Sequence, residues 1–143
     1  MKKAITKKSS LINKMTRLVS ERKNGKKVFA ENLPLEAKFF VMNNFPNKSI
    51  AFAAQRITPT GKTFEATLNN GAQVEFNENG SWRTVDCNMD AVPSTLVPSA
   101  ISKFMDTHYP NTPLVRIEKV GDGYEVTLFN YATLRFKNLE NVL

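Results

Sequence analysis

Hydrophobic positions along the chain change period in a regular order. Leu33, Ala37, Phe40, Val41 and Phe45 fall at i, i+4, i+7, i+8 and i+12, a spacing that lines one face of an α-helix. Pro34 suits the first turn of that helix, where a missing N–H costs nothing, and Pro46 marks its stop. The period then drops to two. Phe64, Ala66 and Leu68 alternate with Glu65 and Thr67; after Asn69-Asn70-Gly71, Ala72, Val74 and Phe76 alternate with Gln73 and Glu75. An Asn-Gly step between two alternating runs predicts a hairpin. Asn79-Gly80 predicts a further turn into a strand over Ser81–Asp86 that carries Trp82. Ser49–Ile57 reads as an earlier strand whose faces the pattern does not assign.

The same order is written twice. Val97, Ile101, Phe104, Met105 and Tyr109 repeat the helical stripe at an offset of 64, between Val97-Pro98 and Tyr109-Pro110-Asn111. Tyr124, Val126 and Leu128, then Ala132, Leu134 and Phe136, repeat the hairpin at an offset of 60, with Leu114–Val120 as the strand before it. Asn130-Tyr131 stands where the first copy has Asn70-Gly71, which predicts a different turn type, and Val142 falls in the place of Trp82. Each unit is a helix followed by a three- or four-stranded antiparallel meander, and a sheet that small is marginal alone. The join at Cys87–Ser94 is short. The pattern therefore predicts an α+β fold in which two tandem repeats, 33–87 and 97–143, share one sheet. They form a single duplicated domain over 29–143, with Phe40 and Phe104 as core residues.

Residues 1–28 follow another pattern. Leu11, Ile12, Met15, Leu18 and Val19 lie at i, i+1, i+4, i+7 and i+8, with Ser9 or Ser10 as N-cap and Asn24-Gly25 as stop. This predicts a basic amphipathic helix ahead of the domain. Residues 1–27 hold ten basic side chains against one acid, Glu21, a charge of +9; residues 28–143 hold ten basic and twelve acidic ones, a charge of −2. The net +7 thus belongs to the arm, and a uniformly basic binding surface on the domain is a poor reading. A helix packed on the domain or left in solvent, nucleic-acid contact, a membrane-surface helix and an organelle-targeting segment are the readings of the arm.

Composition narrows the chemistry. The 143 residues are 41% hydrophobic, enough for a core. No apolar run approaches the roughly 20 residues that span a bilayer, and the arm lacks the apolar run of a Sec-type export signal. On that reading the chain as given stays in the cytoplasm. One Cys excludes an internal disulfide and a Cys-rich zinc site, and one His excludes a two-His metal site. Cys87 reads as a structural thiol and His108 as a helix-end cap or a solvent-exposed side chain. No phosphate loop, calcium loop or nucleophile elbow is present. No cofactor, metal or catalytic residue is expected.

The Leu-Pro helix ending Phe-Pro, the Phe64–Leu68 strand, Asn70-Gly71, Val74–Phe76 and Asn79–Trp82 together resemble the PepSY-like family of periplasmic proteins. That family's fold is related to β-lactamase-inhibitor protein. Val97–Pro110, Tyr124–Leu128 and Leu134–Phe136 carry the resemblance a second time, so it covers about 28–143. It implies a tandem-repeat α+β fold, export to the envelope of a Bacteroidetes-like bacterium, and protein binding without catalysis. In that arrangement a sheet face meets the partner. Here alternation places Glu65, Thr67, Gln73, Glu75, Arg83, Glu125, Thr127, Thr133 and Arg135 outward, with Glu125 and Arg135 as a cross-strand ion pair. The expected function is a non-enzymatic protein- or peptide-binding module acting through the sheet face or edge, as a monomer or an edge-paired dimer. The alternative is an accessory binder of nucleic acid or anionic surfaces using residues 1–27.

Overall fold

A computed structural model describes residues 25–137. The predicted arm helix (9–23) and Val142 lie outside the described residues. Strand β1 (Lys26–Val28) leads through a 3-10 turn (Ala30–Asn32) into helix α1 (Leu35–Asn44). Strands β2 (Ile50–Thr58), β3 (Gly61–Leu68), β4 (Gln73–Asn77) and β5 (Trp82–Asp86) follow. A second 3-10 turn (Ser94–Leu96) precedes helix α2 (Ser99–His108) and strands β6 (Leu114–Val120), β7 (Gly123–Leu128) and β8 (Thr133–Phe136). All eight strands form one antiparallel sheet in the order of the chain. The ladder of β5 with β6 joins the two halves through Thr84↔Glu118, Val85↔Ile117 and Asp86↔Arg116.

The two helices begin and end alike. Pro34 and Pro98 sit at the N-cap, one position before the first turn assumed from the sequence, with φ −54° and −55°. Their carbonyls accept the amides of Lys38 and Ser102 at 3.1 and 3.0 Å, so each ring opens its helix at a position where neither its φ nor its missing N–H interrupts the ladder. Phe45 and Tyr109 leave the helix at φ −133° and −139°, and the prolines after them prevent its return.

The helical stripes pack on one face of the sheet. Leu33, Ala37, Val41 and Phe45 join Ile101 and Met105 in one core with Phe64, Leu68, Val74, Phe76, Ile117, Val126 and Leu128. Phe40 and Phe104 are half-buried lids rather than core centres: each makes a T-shaped contact with a strand phenylalanine, Phe76 at 5.6 Å and Phe136 at 5.3 Å. Trp82 binds the halves on this side, 6.2 Å from Phe40 and 6.5 Å from Tyr124. Lys119 Nζ lies 4.2 Å above its ring, and burial lowers the pKa of that ammonium.

The turn expected to differ does not. Tyr131 takes φ +70° where Gly71 takes +90°, and both turns close with the same bonds. Gly71 N and Tyr131 N donate to Leu68 O and Leu128 O at 2.9 and 2.8 Å. Asn70 Oδ1 and Asn130 Oδ1 each accept the amide two residues on at 3.1 Å. The side-chain carbonyl of asparagine pins the turn, and tyrosine accepts the left-handed backbone.

Candidate functional site

The sheet face opposite the helices carries the polar half of every alternating strand. Register aligns Lys27, Ala54, Glu65, Glu75, Thr84, Glu118, Glu125 and Arg135 in one row across all eight strands. A second row reads Phe52, Thr67, Gln73, Asp86, Arg116, Thr127 and Thr133. Eight of the nine residues expected on the outward face lie in these two rows, spread from β3 to β8, and Arg83 arrives differently. It is the extra residue of a bulge between Glu75 and Phe76, yet its guanidinium reaches to 4.0 Å from Glu75.

Electrostatics organise this face. Glu65 faces Glu75, and Glu118 faces Glu125, two like-charged cross-strand pairs on either side of Thr84. Such pairs are unfavourable unless cations intervene. Arg56 and Arg83 approach Glu75 at 3.8 and 4.0 Å, and Thr84 Oγ1 donates to Glu75 Oε1 at 3.5 Å. Arg116 donates to Glu118 at 3.1 Å and lies 3.9 Å from Asp86. Arg135 Nε donates to Glu125 Oε2 at 2.8 Å, the ion pair expected from alternation. Because Arg135 is 71% exposed, its pair with Glu125 is expected to couple by only about 0.2–1 kcal/mol. A double-mutant cycle of Glu125→Gln and Arg135→Met measures this coupling, which should shrink as salt is added.

Between β1 and β4 the face sinks into a cavity of about 400 Å³. Phe52 (47% exposed) and Ala54 give it apolar lining on the outward face, and Lys27, Arg56, Glu65 and Glu75 line it as well. Thr67 and Gln73, from the expected set, also line it. Further along the face Thr84 and Asp86 are only 3% and 4% exposed, so its middle is closely covered.

Alternation alone missed Phe52, Arg56, Asp86, Arg116 and Glu118. Bulges after Ile50 and after Leu114 shift the strand by one residue, so Leu114 and Val115 are both buried and the simple period breaks. The signal lay in register instead: Phe52 and Arg116 stand 64 residues apart, the offset of the helices. Cys87 lies in the core at 5% exposure, and His108 is exposed beside Phe104 at 4.3 Å. Among the described residues no group of three or more His, Cys, Asp or Glu side chains could hold a metal ion, and no helix is long and apolar enough to cross a membrane.

This arrangement, two helices on one side of an eight-stranded antiparallel sheet, is shared by solved structures. One is a "putative calcium-regulated periplasmic protein" from Bacteroides thetaiotaomicron, 32% identical, with a TM-score of 0.75 over 80% of this chain and 90% of that one. Another is a "putative periplasmic protein from DUF2874 family" from Bacteroides vulgatus, with the same identity, coverage and TM-score. No curated protein matches the sequence. A family model described as "Putative beta-lactamase-inhibitor-like, PepSY-like" matches residues 62–143. The chain belongs to this PepSY-like family.

Proposed function

We propose that the chain is a non-enzymatic protein- or peptide-binding module of the bacterial cell envelope. It is built as two repeats of one helix-and-meander unit, 33–87 and 97–143, and acts through the outward sheet face or its edge. The observation that carries this reading is the cavity lined by an exposed phenylalanine, Phe52, together with paired charges. An apolar anchor point inside a polar surround is how a docking surface combines affinity with register. Glu75, Glu118 and Glu125 are held against arginines, an arrangement suited to orienting a partner. The inhibitor-like family description and the periplasmic description of both Bacteroides relatives support the partner class and the compartment. The site residues of this proposal are Glu65, Thr67, Gln73, Glu75, Arg83, Glu125, Thr127, Thr133 and Arg135, with Phe52, Arg56 and Arg116 added by register.

Photocrosslinking tests it. A p-benzoylphenylalanine in place of Thr67, in the full chain and in envelope extract, should attach to a defined protein and lose it when Phe52→Asp is added. The same group in place of Phe39, exposed on α1, should attach to nothing comparable. Equal capture from both positions rejects the outward face as the docking surface, and so does the absence of capture from Thr67 when Leu11→Asp and Leu18→Asp are also present.

A further inference from the structure

The chain reaches this cavity from its own N-terminal side. Gly25 lines the cavity, and Lys27 of β1 stands directly opposite Ala54, so the 24 residues before Gly25 join the described chain at this cavity. Within them Leu11, Ile12, Met15, Leu18 and Val19 keep the spacing of one helical face, while Lys14, Arg17 and Arg22 lie off it. A helix over residues 9–23 would be about 22 Å long. With strands about 4.8 Å apart, it would cover four or five of them laid across the face, the span from β1 to β5. The charged lining is balanced, Lys27 and Arg56 against Glu65 and Glu75, so the cavity offers apolar contact through Phe52 and Ala54 rather than an electrostatic trap. Tethering compensates for a small contact area. A segment joined a few residues from its seat experiences an effective concentration on the order of millimolar, so even a weak contact is occupied.

We infer that residues 9–23 are the resident occupant of the outward cavity, laid across β2 to β4 with Leu18 nearest Phe52 and Ala54. This rests on the outward face being the docking surface, and it makes the arm a tethered competitor that a partner displaces. A rival seat exists on α1, where Leu35, Phe39 and Met42 are 62%, 51% and 64% exposed at i, i+4 and i+7. Ser99, Lys103 and Asp106 hold the matching positions of α2. That stripe lies on the helix side of the sheet, away from the cavity that Gly25 lines.

The test places p-benzoylphenylalanine at position 15 of the full chain, followed by peptide mapping after irradiation. The expected product is intramolecular, independent of protein concentration, and joined within β2 to β4; Leu11→Asp with Leu18→Asp should abolish it. Attachment to α1, attachment between two chains that rises with concentration, or no attachment each overturns the inference. The two readings fail separately. If position 15 attaches to β2–β4 but Thr67 in the Leu11→Asp, Leu18→Asp variant captures no envelope protein, the partner reading falls and self-occupation stands. If Thr67 captures a partner while position 15 attaches elsewhere, the reverse holds.

Discussion

Replacing Phe76 by alanine is expected to cost the fold about 3–5 kcal/mol, the usual penalty for emptying a fully buried phenylalanine site. Phe76 has no exposed surface, pairs across strands with Phe64 and Trp82, and meets Phe40 in a T-shaped contact at 85°. Its removal therefore strips contact from the helix, the sheet and the tryptophan that joins the halves. Collapse around the cavity is limited because Phe64 and Trp82 are held by separate ladders. Against a total stability of about 5–15 kcal/mol, this leaves the protein near its unfolding threshold. Thermal unfolding should show a fall of about 10 °C or more. Phe136→Ala offers the comparison, since Phe136 makes the matching contact with Phe104 but is only half-buried on the edge strand. Equal losses at the two sites would mean that burial does not set the cost.

Gly80→Ala is expected to cost about 2–5 kcal/mol, from a left-handed backbone penalty of about 1–2 and an overpacking penalty of about 1–3. Gly80 lies at φ +95° in the turn before β5, directly under the start of α1. A methyl group there would stand 2.9 Å from Glu36 Cβ, 3.1 Å from Pro34 Cβ and 3.3 Å from Ala37 N. None of these atoms is the far end of a flexible side chain: two belong to the first turn and one to the proline ring that sets it. The helix must move, or the turn must. Gly121→Ala is the comparison, because Gly121 also has a positive φ, +57°, but nothing within 4 Å of the added carbon. In urea unfolding Gly80→Ala should lose more, by the overpacking part plus the added backbone strain of φ +95°, which lies outside the left-handed well that +57° occupies. A Gly80→Ala protein as stable as Gly121→Ala would show that α1 is not seated on this turn.

Much of this architecture was readable because two periods alternate cleanly. The helical stripes of Leu33–Phe45 and Val97–Tyr109, and the hairpins around Asn70 and Asn130, occur where predicted. What escaped did so for local reasons. A bulge makes two neighbouring residues share a side, so Leu114 and Val115 hid the fact that Arg116 and Glu118 belong to the outward rows. The run Lys26-Lys27-Val28 has one apolar residue and looks like the end of a basic arm, yet it pairs with Ala53, Ala54 and Gln55 as an edge strand. Exposed lysines on such an edge are what sequence patterning reads as loop and what sheets use to discourage further pairing. The candidate site itself was half legible: Glu65, Thr67, Gln73 and Glu75 declare their face by alternation, whereas Phe52, in its lining, is apolar and outward and so contradicts the rule used to find it.

The strand order has a consequence for how the molecule is assembled. Every ladder joins strands that are consecutive in the chain, so each hairpin can close as soon as its second strand has been made. Loops closed early and locally carry a small entropic cost, which favours rapid folding. The exceptions are β1 with β2, which α1 separates, and the seam between β5 and β6, where α2 and its flanking loops must be placed before three residue pairs can meet. During synthesis, β1 to β5 can therefore complete their ladders while β5 still presents an open edge. For that interval the nascent protein holds a vacancy shaped for its own second half, and a neighbouring chain carries the same fitting piece. Exchange of second halves between chains is the error this order of events invites.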